Sequence, residues 1–136
     1  MKESTLAEWD IVNDTRSEYL QDYFALSDYL AKGVTTDMRD LARKIRVILE
    51  ENLRMRFPDV FGSGQWLGDF LQAIRNANGG DPVFPMKKHL NELDALNDFS
   101  KTFHHAENPG ASKEPIMDAE LQNYAARTLT FLRGAP

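Results

Sequence analysis

This sequence predicts an all-α fold: a single bundle of about five helices with short connections over residues 1–136. Three observations lead there. Apolar residues recur at three- and four-residue spacing through most of the chain. Glycine and proline interrupt that spacing about every helix length. No stretch alternates apolar and polar residues long enough to make a useful strand, and there is no internal repeat or low-complexity tract.

The first helix is expected over about residues 4–32. Trp9, Val12, Tyr19, Leu20, Tyr23, Leu26 and Leu30 give it an apolar stripe, and Gly33 is a stop signal. Asp10, Asp14, Glu18, Asp22 and Asp28 fill the other face. Tyr19, Tyr23 and Tyr29 read as packing residues with hydroxyls at the boundary; a stacking platform for nucleic acid is the alternative.

The second helix, about 36–57, is the organising element. Met38, Leu41, Ala42, Ile45, Ile48, Leu49 and Leu53 form one broad apolar stripe. Thr35 or Thr36 is the expected cap, with Asp37 in the first turn. Pro58 should end the helix, because it cannot continue one and disfavours helical geometry at Phe57. The opposite side carries Arg39, Arg43, Lys44, Arg46, Arg54 and Arg56 against Asp40, Glu50 and Glu51, so it is locally basic. Arg46 and Glu50, four apart, share a face.

Gly62-Ser63-Gly64 is a turn and lacks the lysine and spacing of a phosphate-binding loop. Trp66, Leu67, Phe70, Leu71 and Ile74 then mark a third helix over about 65–77, ended by Asn78 to Pro82. Pro85 introduces a fourth, about 86–106, with Met86, Leu90, Leu93, Leu96, Phe99 and Phe103 in its apolar stripe. Asn97, Lys101 and His104 make a polar stripe beside it. Glu107–Pro115 reads as an exposed loop. Asp118 is the expected cap of a fifth helix, about 118–133, carrying Leu121, Tyr124, Ala125, Leu129 and Leu132 and closed by Gly134.

At 136 residues with 42% hydrophobic side chains, the length suits one domain with one core. The net charge of −5, from 16 basic and 21 acidic side chains, argues against a general nucleic-acid or membrane coat but leaves room for a local basic groove. With no cysteine, disulfides and thiolate metal sites are excluded. No apolar run approaches the roughly 20 residues that span a bilayer, and the N-terminus lacks the apolar centre of a secretory signal. A soluble cytoplasmic protein without membrane association is expected. His89 with Glu92, and His105 near Glu107, lack ligand spacing, and no H-E-x-x-H occurs, so neither a metal nor another cofactor is expected.

The run RVILEENLRMRFP, followed at a distance by LNDFSKTFHHAENP and a final amphipathic helix, resembles the C-terminal helical region of bacterial AAA/ABC-like phage-defence ATPases, a group that includes the anticodon nucleases. Arg46, Leu49, Glu50, Leu53, Arg54, Arg56, Phe57 and Pro58 fit the first block. Leu96, Asn97, Ser100 and His104 or His105 fit the second. SEYLQDYFAL, residues 17–26, resembles an acidic-aromatic helix that precedes the first block in such proteins. The likeness runs in order over most of the chain. It departs in two ways: the ATPase halves with their P-loop are absent, and Ser100 is separated from His104 where many relatives place serine next to histidine.

The resemblance implies a ribonuclease site made of Arg46, Glu50 and His104 or His105, with tRNA or another RNA as substrate. Such a trio can work without metal. Glutamate and histidine can divide the proton transfers when a 2′-hydroxyl attacks the adjacent phosphate. Arginine can stabilise the phosphorane charge. Arg39, Arg43 and Lys101 would then hold the RNA backbone. His104 and His105 cannot both face one groove, because helical neighbours diverge by about 100°. The broader class of small helical ribonucleases with arginine four to six residues before histidine does not fit, since residues 97–101 are Asn-Asp-Phe-Ser-Lys and contain no arginine. The site could therefore be degenerate. The plainer reading of Arg46 and Glu50 is a surface ion pair at i,i+4, worth about 0.3–0.5 kcal/mol. On that reading the chain is a non-catalytic interaction module for a partner ATPase, another copy of itself or nucleic acid.

Overall fold

The computed structural model describes residues 18–33, 37–62, 64–104 and 117–134. Among these residues the chain is all-α. Helix α1 covers 18–32. It is followed by α2 (Met38–Arg56), α3 (Leu67–Arg75), a 3₁₀ segment (Phe84–His89), α4 (Leu90–His104) and α5 (Asp118–Leu132). The part of the first helix expected before residue 18, the caps Thr35 and Thr36, and the loop Glu107–Pro115 lie outside the described residues.

Helix α2 is the hub. It packs most extensively on α4, and also on α5 and α3. Its stripe residues Leu41, Ala42, Ile45, Ile48, Leu49 and Leu53 are all buried. They meet Phe70 and Ile74 of α3, Leu93 and Leu96 of α4, and Leu121, Ala125 and Leu129 of α5 in one core. Helix α1 adds Leu26 and Tyr29 to that core. It is tied to α2 by Asn52 donating to the Tyr19 hydroxyl (3.2 Å) and to α5 by Tyr29 donating to the Asp118 carboxylate. Arg133 Nε donates to the Tyr23 hydroxyl at 2.9 Å, so all three tyrosines pack with their hydroxyls engaged at the boundary.

Several boundaries differ from the sequence expectation. Asp37 is the N-cap of α2, extended at φ −144°, and its carboxylate accepts from the Asp40 amide at 3.0 Å. Asp40 takes the first-turn acidic position instead. At the other end Phe57 caps the helix through its amide to Leu53 O at 2.9 Å, with Pro58 preventing continuation. The fourth helix starts as a 3₁₀ segment because Pro85 has no amide and Met86 bonds back to Val83 O at 2.9 Å. Asp118 is the first residue of α5, not its cap: Met117 occupies the cap position, and the Asp118 carboxylate is held by Tyr29. Gly33 and Gly134 close α1 and α5 at φ +73°, a conformation that favours glycine.

Among the described stripe residues, two are exposed rather than buried or half-buried. Leu20 and Trp66 are exposed, Trp66 to 56%. Trp66 is the N-cap of α3, so its side chain departs from the turn before the helical repeat begins.

Candidate functional site: the Arg46–Glu50 motif

Arg46 and Glu50 lie one turn apart in the middle of α2, and neither is on the surface. Arg46 is 6% exposed and Glu50 4%. This corrects the expectation of a solvated ion pair. The physical reason lies in α3, which folds back over that face of α2. Glu50 Oε2 accepts from Arg46 Nε at 3.2 Å and from the Leu67 backbone amide at 2.6 Å. The Trp66 ring lies 5.9 Å from the Arg46 guanidinium carbon.

The start of α3 explains why the carboxylate is needed there. The first amides of a helix have no partner within it. Trp66, at the N-cap, has only an indole N–H, which donates and cannot accept. Asp69 Oδ2 accepts from the Trp66 amide at 2.9 Å, which leaves Leu67 N–H to be satisfied from elsewhere. Glu50 supplies that acceptor from 17 residues away. A carboxylate at a helix N-terminus is also favoured by the dipole, and Arg46 balances its charge inside the fold.

Arg54, the next residue along the same face, serves the same connection. It donates to Gly62 O at 3.4 Å and to Gln65 O at 2.6 Å, and its guanidinium carbon lies 5.2 Å from the Phe70 ring centre. Gln65 returns the contact by accepting from the Gly62 amide at 3.0 Å. Arg46, Glu50 and Arg54, at i, i+4 and i+8 of α2, thus all hold the α2–α3 connection in place.

The structure brings Arg46 and Glu50 together. As for the third member of the expected trio, the His104 side chain and the whole of His105 lie outside the described residues. Of the residues expected to hold RNA, Arg39 and Arg43 are partly buried on the first turns of α2, and both are engaged in contacts. Lys101 is exposed on α4 and pairs with Asp98 at 3.5 Å. Lys44 is held between Asp40 at 3.1 Å and Asp22 of α1 at 3.6 Å. The acidic face of α1 therefore lies against part of the basic face of α2. Among the described residues there is no cluster of three or more histidine, aspartate or glutamate side chains suited to a metal ion. No helix among them is long and apolar enough to cross a membrane.

Comparison with family models, with curated proteins and with solved structures gives no match.

Sequence reasoning missed three residues. In the sequence Glu51 is only part of the charge balance, yet it faces α1. Burial, and then the charges of Asp22 and Glu18, push its carboxyl up to about 7. Asn52, also buried, donates to Tyr19. Arg54, one cation among several in the sequence, donates to the backbone of the α2–α3 connection. For Glu50 one signal was present in the sequence: Trp66 offers α3 no capping acceptor, so a cap from another element was required.

Proposed function

We infer that this chain is a non-catalytic helical interaction module, and that its arginine–glutamate motif is structural. The observation that carries this reading is the double use of Glu50 Oε2, by Arg46 and by the Leu67 amide, at a site covered to 4% exposure. A general base must reach the proton it removes. A buried carboxylate oxygen already accepting two hydrogen bonds is poorly placed for that task. The motif shared with the defence ATPases is then a device for locking α3 onto α2, and the likeness is one of scaffold. The engagement of Lys44 by Asp22 and Asp40 supports a protein partner, either a second copy of the chain or an ATPase body, over RNA.

The test is incubation of the purified chain with bulk tRNA in EDTA, with the fragment ends read out, beside sedimentation velocity over a concentration series. The expected result is intact tRNA. Fragments ending in 2′,3′-cyclic phosphate overturn the reading if they vanish with Arg46→Lys, or with the His104→Ala/His105→Ala double variant, while the melting temperature holds. Sedimentation separates the two kinds of partner. Mass rising with concentration identifies a second copy, whereas a constant monomer mass directs the search to a different chain.

A further inference from the structure

The C-terminal ends of α2 and α5 meet the 3₁₀ segment around an open pocket of about 320 Å³. This is the lower end of the range that takes small molecules. Its apolar lining includes Phe57, Met86 and Phe131, and its polar lining is Arg56, Lys88 and His89. Among the described residues no carboxylate lines it, and none forms an ion pair with Arg56 or Lys88. The chain is acidic overall, and the other α2 cations, Arg39, Arg43, Lys44, Arg46 and Arg54, are all engaged, so Arg56 and Lys88 beside one apolar hollow stand apart.

Arg56 is not loosely arranged. The Arg56 guanidinium carbon lies 5.9 Å from the Phe57 ring centre and 5.7 Å from that of Phe131, which fixes the head group at the pocket wall. His89 meets Phe131 edge-on at 5.5 Å. Pro82 and Pro85 stiffen the opposite wall, so little order is lost when a ligand enters.

We propose that this pocket binds a small organic anion: a carboxylate or phosphate monoester on a short apolar body. Arg56 and Lys88 take the anionic head through charge-assisted hydrogen bonds. The body lies against Phe57, Met86 and Phe131. His89 reports on occupancy. Burial, then Lys88 and Arg56, hold its imidazole below the ordinary histidine range. An anion seated between those cations cancels their repulsion and moves His89 back up. The inference is independent of the interaction-module reading, since the pocket shares no residue with the Arg46–Glu50 motif.

The experiment is NMR titration of the whole chain, with His89 assigned through His89→Gln. Phenyl phosphate and 3-phenylpropionate are the anionic probes, 2-phenylethanol the neutral one and inorganic phosphate the head group alone. At millimolar concentration, both anionic probes are expected to raise the His89 pKa by about 0.5 unit or more. The alcohol should leave it unchanged, and inorganic phosphate should bind about tenfold more weakly than phenyl phosphate. Arg56→Gln/Lys88→Gln alters two exposed side chains. It should raise the His89 pKa in the free protein and weaken both anionic probes about tenfold or more. The proposal is overturned if neither anionic probe moves His89, if the alcohol binds as well as the acids, if inorganic phosphate matches phenyl phosphate, or if the double variant binds like the wild type.

Discussion

Replacing Glu50 by alanine removes one side chain and strands two groups. Arg46, 6% exposed, keeps its charge with no counter-ion, and the Leu67 amide loses its acceptor at 2.6 Å. Breaking a buried ion pair from one side costs about 3–5 kcal/mol, because the remaining charge is buried uncompensated. For a 136-residue chain, 1 kcal/mol corresponds to roughly 3.5 °C, so Glu50→Ala should melt about 10–17 °C lower. Glu50→Gln keeps an acceptor for Leu67 and should lose roughly half as much. Arg46→Met/Glu50→Gln, with no buried charge and an acceptor retained, should recover to within about 1–2 kcal/mol of the wild type. With the single variant Arg46→Met added, the wild type, Arg46→Met, Glu50→Gln and Arg46→Met/Glu50→Gln form a double-mutant cycle with a coupling of about 2 kcal/mol, measured by urea and thermal unfolding. A Glu50→Ala loss below about 1 kcal/mol, or strictly additive variants, would show that Glu50 does not hold α3 and would refute the structural account of the motif.

Other elements give further expectations. Glu51 is pushed up to about 7 in the fold, against about 4.5 in the unfolded chain, so the folded state binds the extra proton. Its contribution is fully present below about pH 4.5 and is lost as the pH rises through about 7. Glu51→Gln should therefore raise the melting temperature at pH 8 by about 3 °C, after allowance for solvent screening, and leave it unchanged near pH 4. A gain of equal size at both pH values would contradict this. Tyr29→Phe removes the hydroxyl donated to Asp118 and should cost about 1 kcal/mol in urea unfolding, the exposed carboxylate turning to water. Gly33→Ala places a side chain at φ +73° and should lose about 1 kcal/mol, although nothing lies within 4 Å of the added carbon, so any loss measures backbone strain alone.

The sequence by itself determined the helices and the core. The stripe of α2 from Leu41 to Leu53, the stop at Pro58 and the closing glycines 33 and 134 can be read off because spacing, capping and left-handed turns are local properties of the backbone. The N-terminal boundaries were less legible, since the choice among Thr35, Thr36 and Asp37, or between Met117 and Asp118, is made within about 1 kcal/mol. The candidate site was legible only as residue types. An arginine and a glutamate four apart look alike whether solvated or buried, and their meaning depends on what crosses above them. Only the tertiary structure laid α3 over that face, made Glu50 the acceptor for an amide 17 residues away, and set α1 with Asp22 against Lys44. The pocket at Arg56, Lys88 and His89 was invisible for the same reason. Its walls come from three stretches far apart in the chain, and charge and burial there follow from contacts that no local pattern encodes.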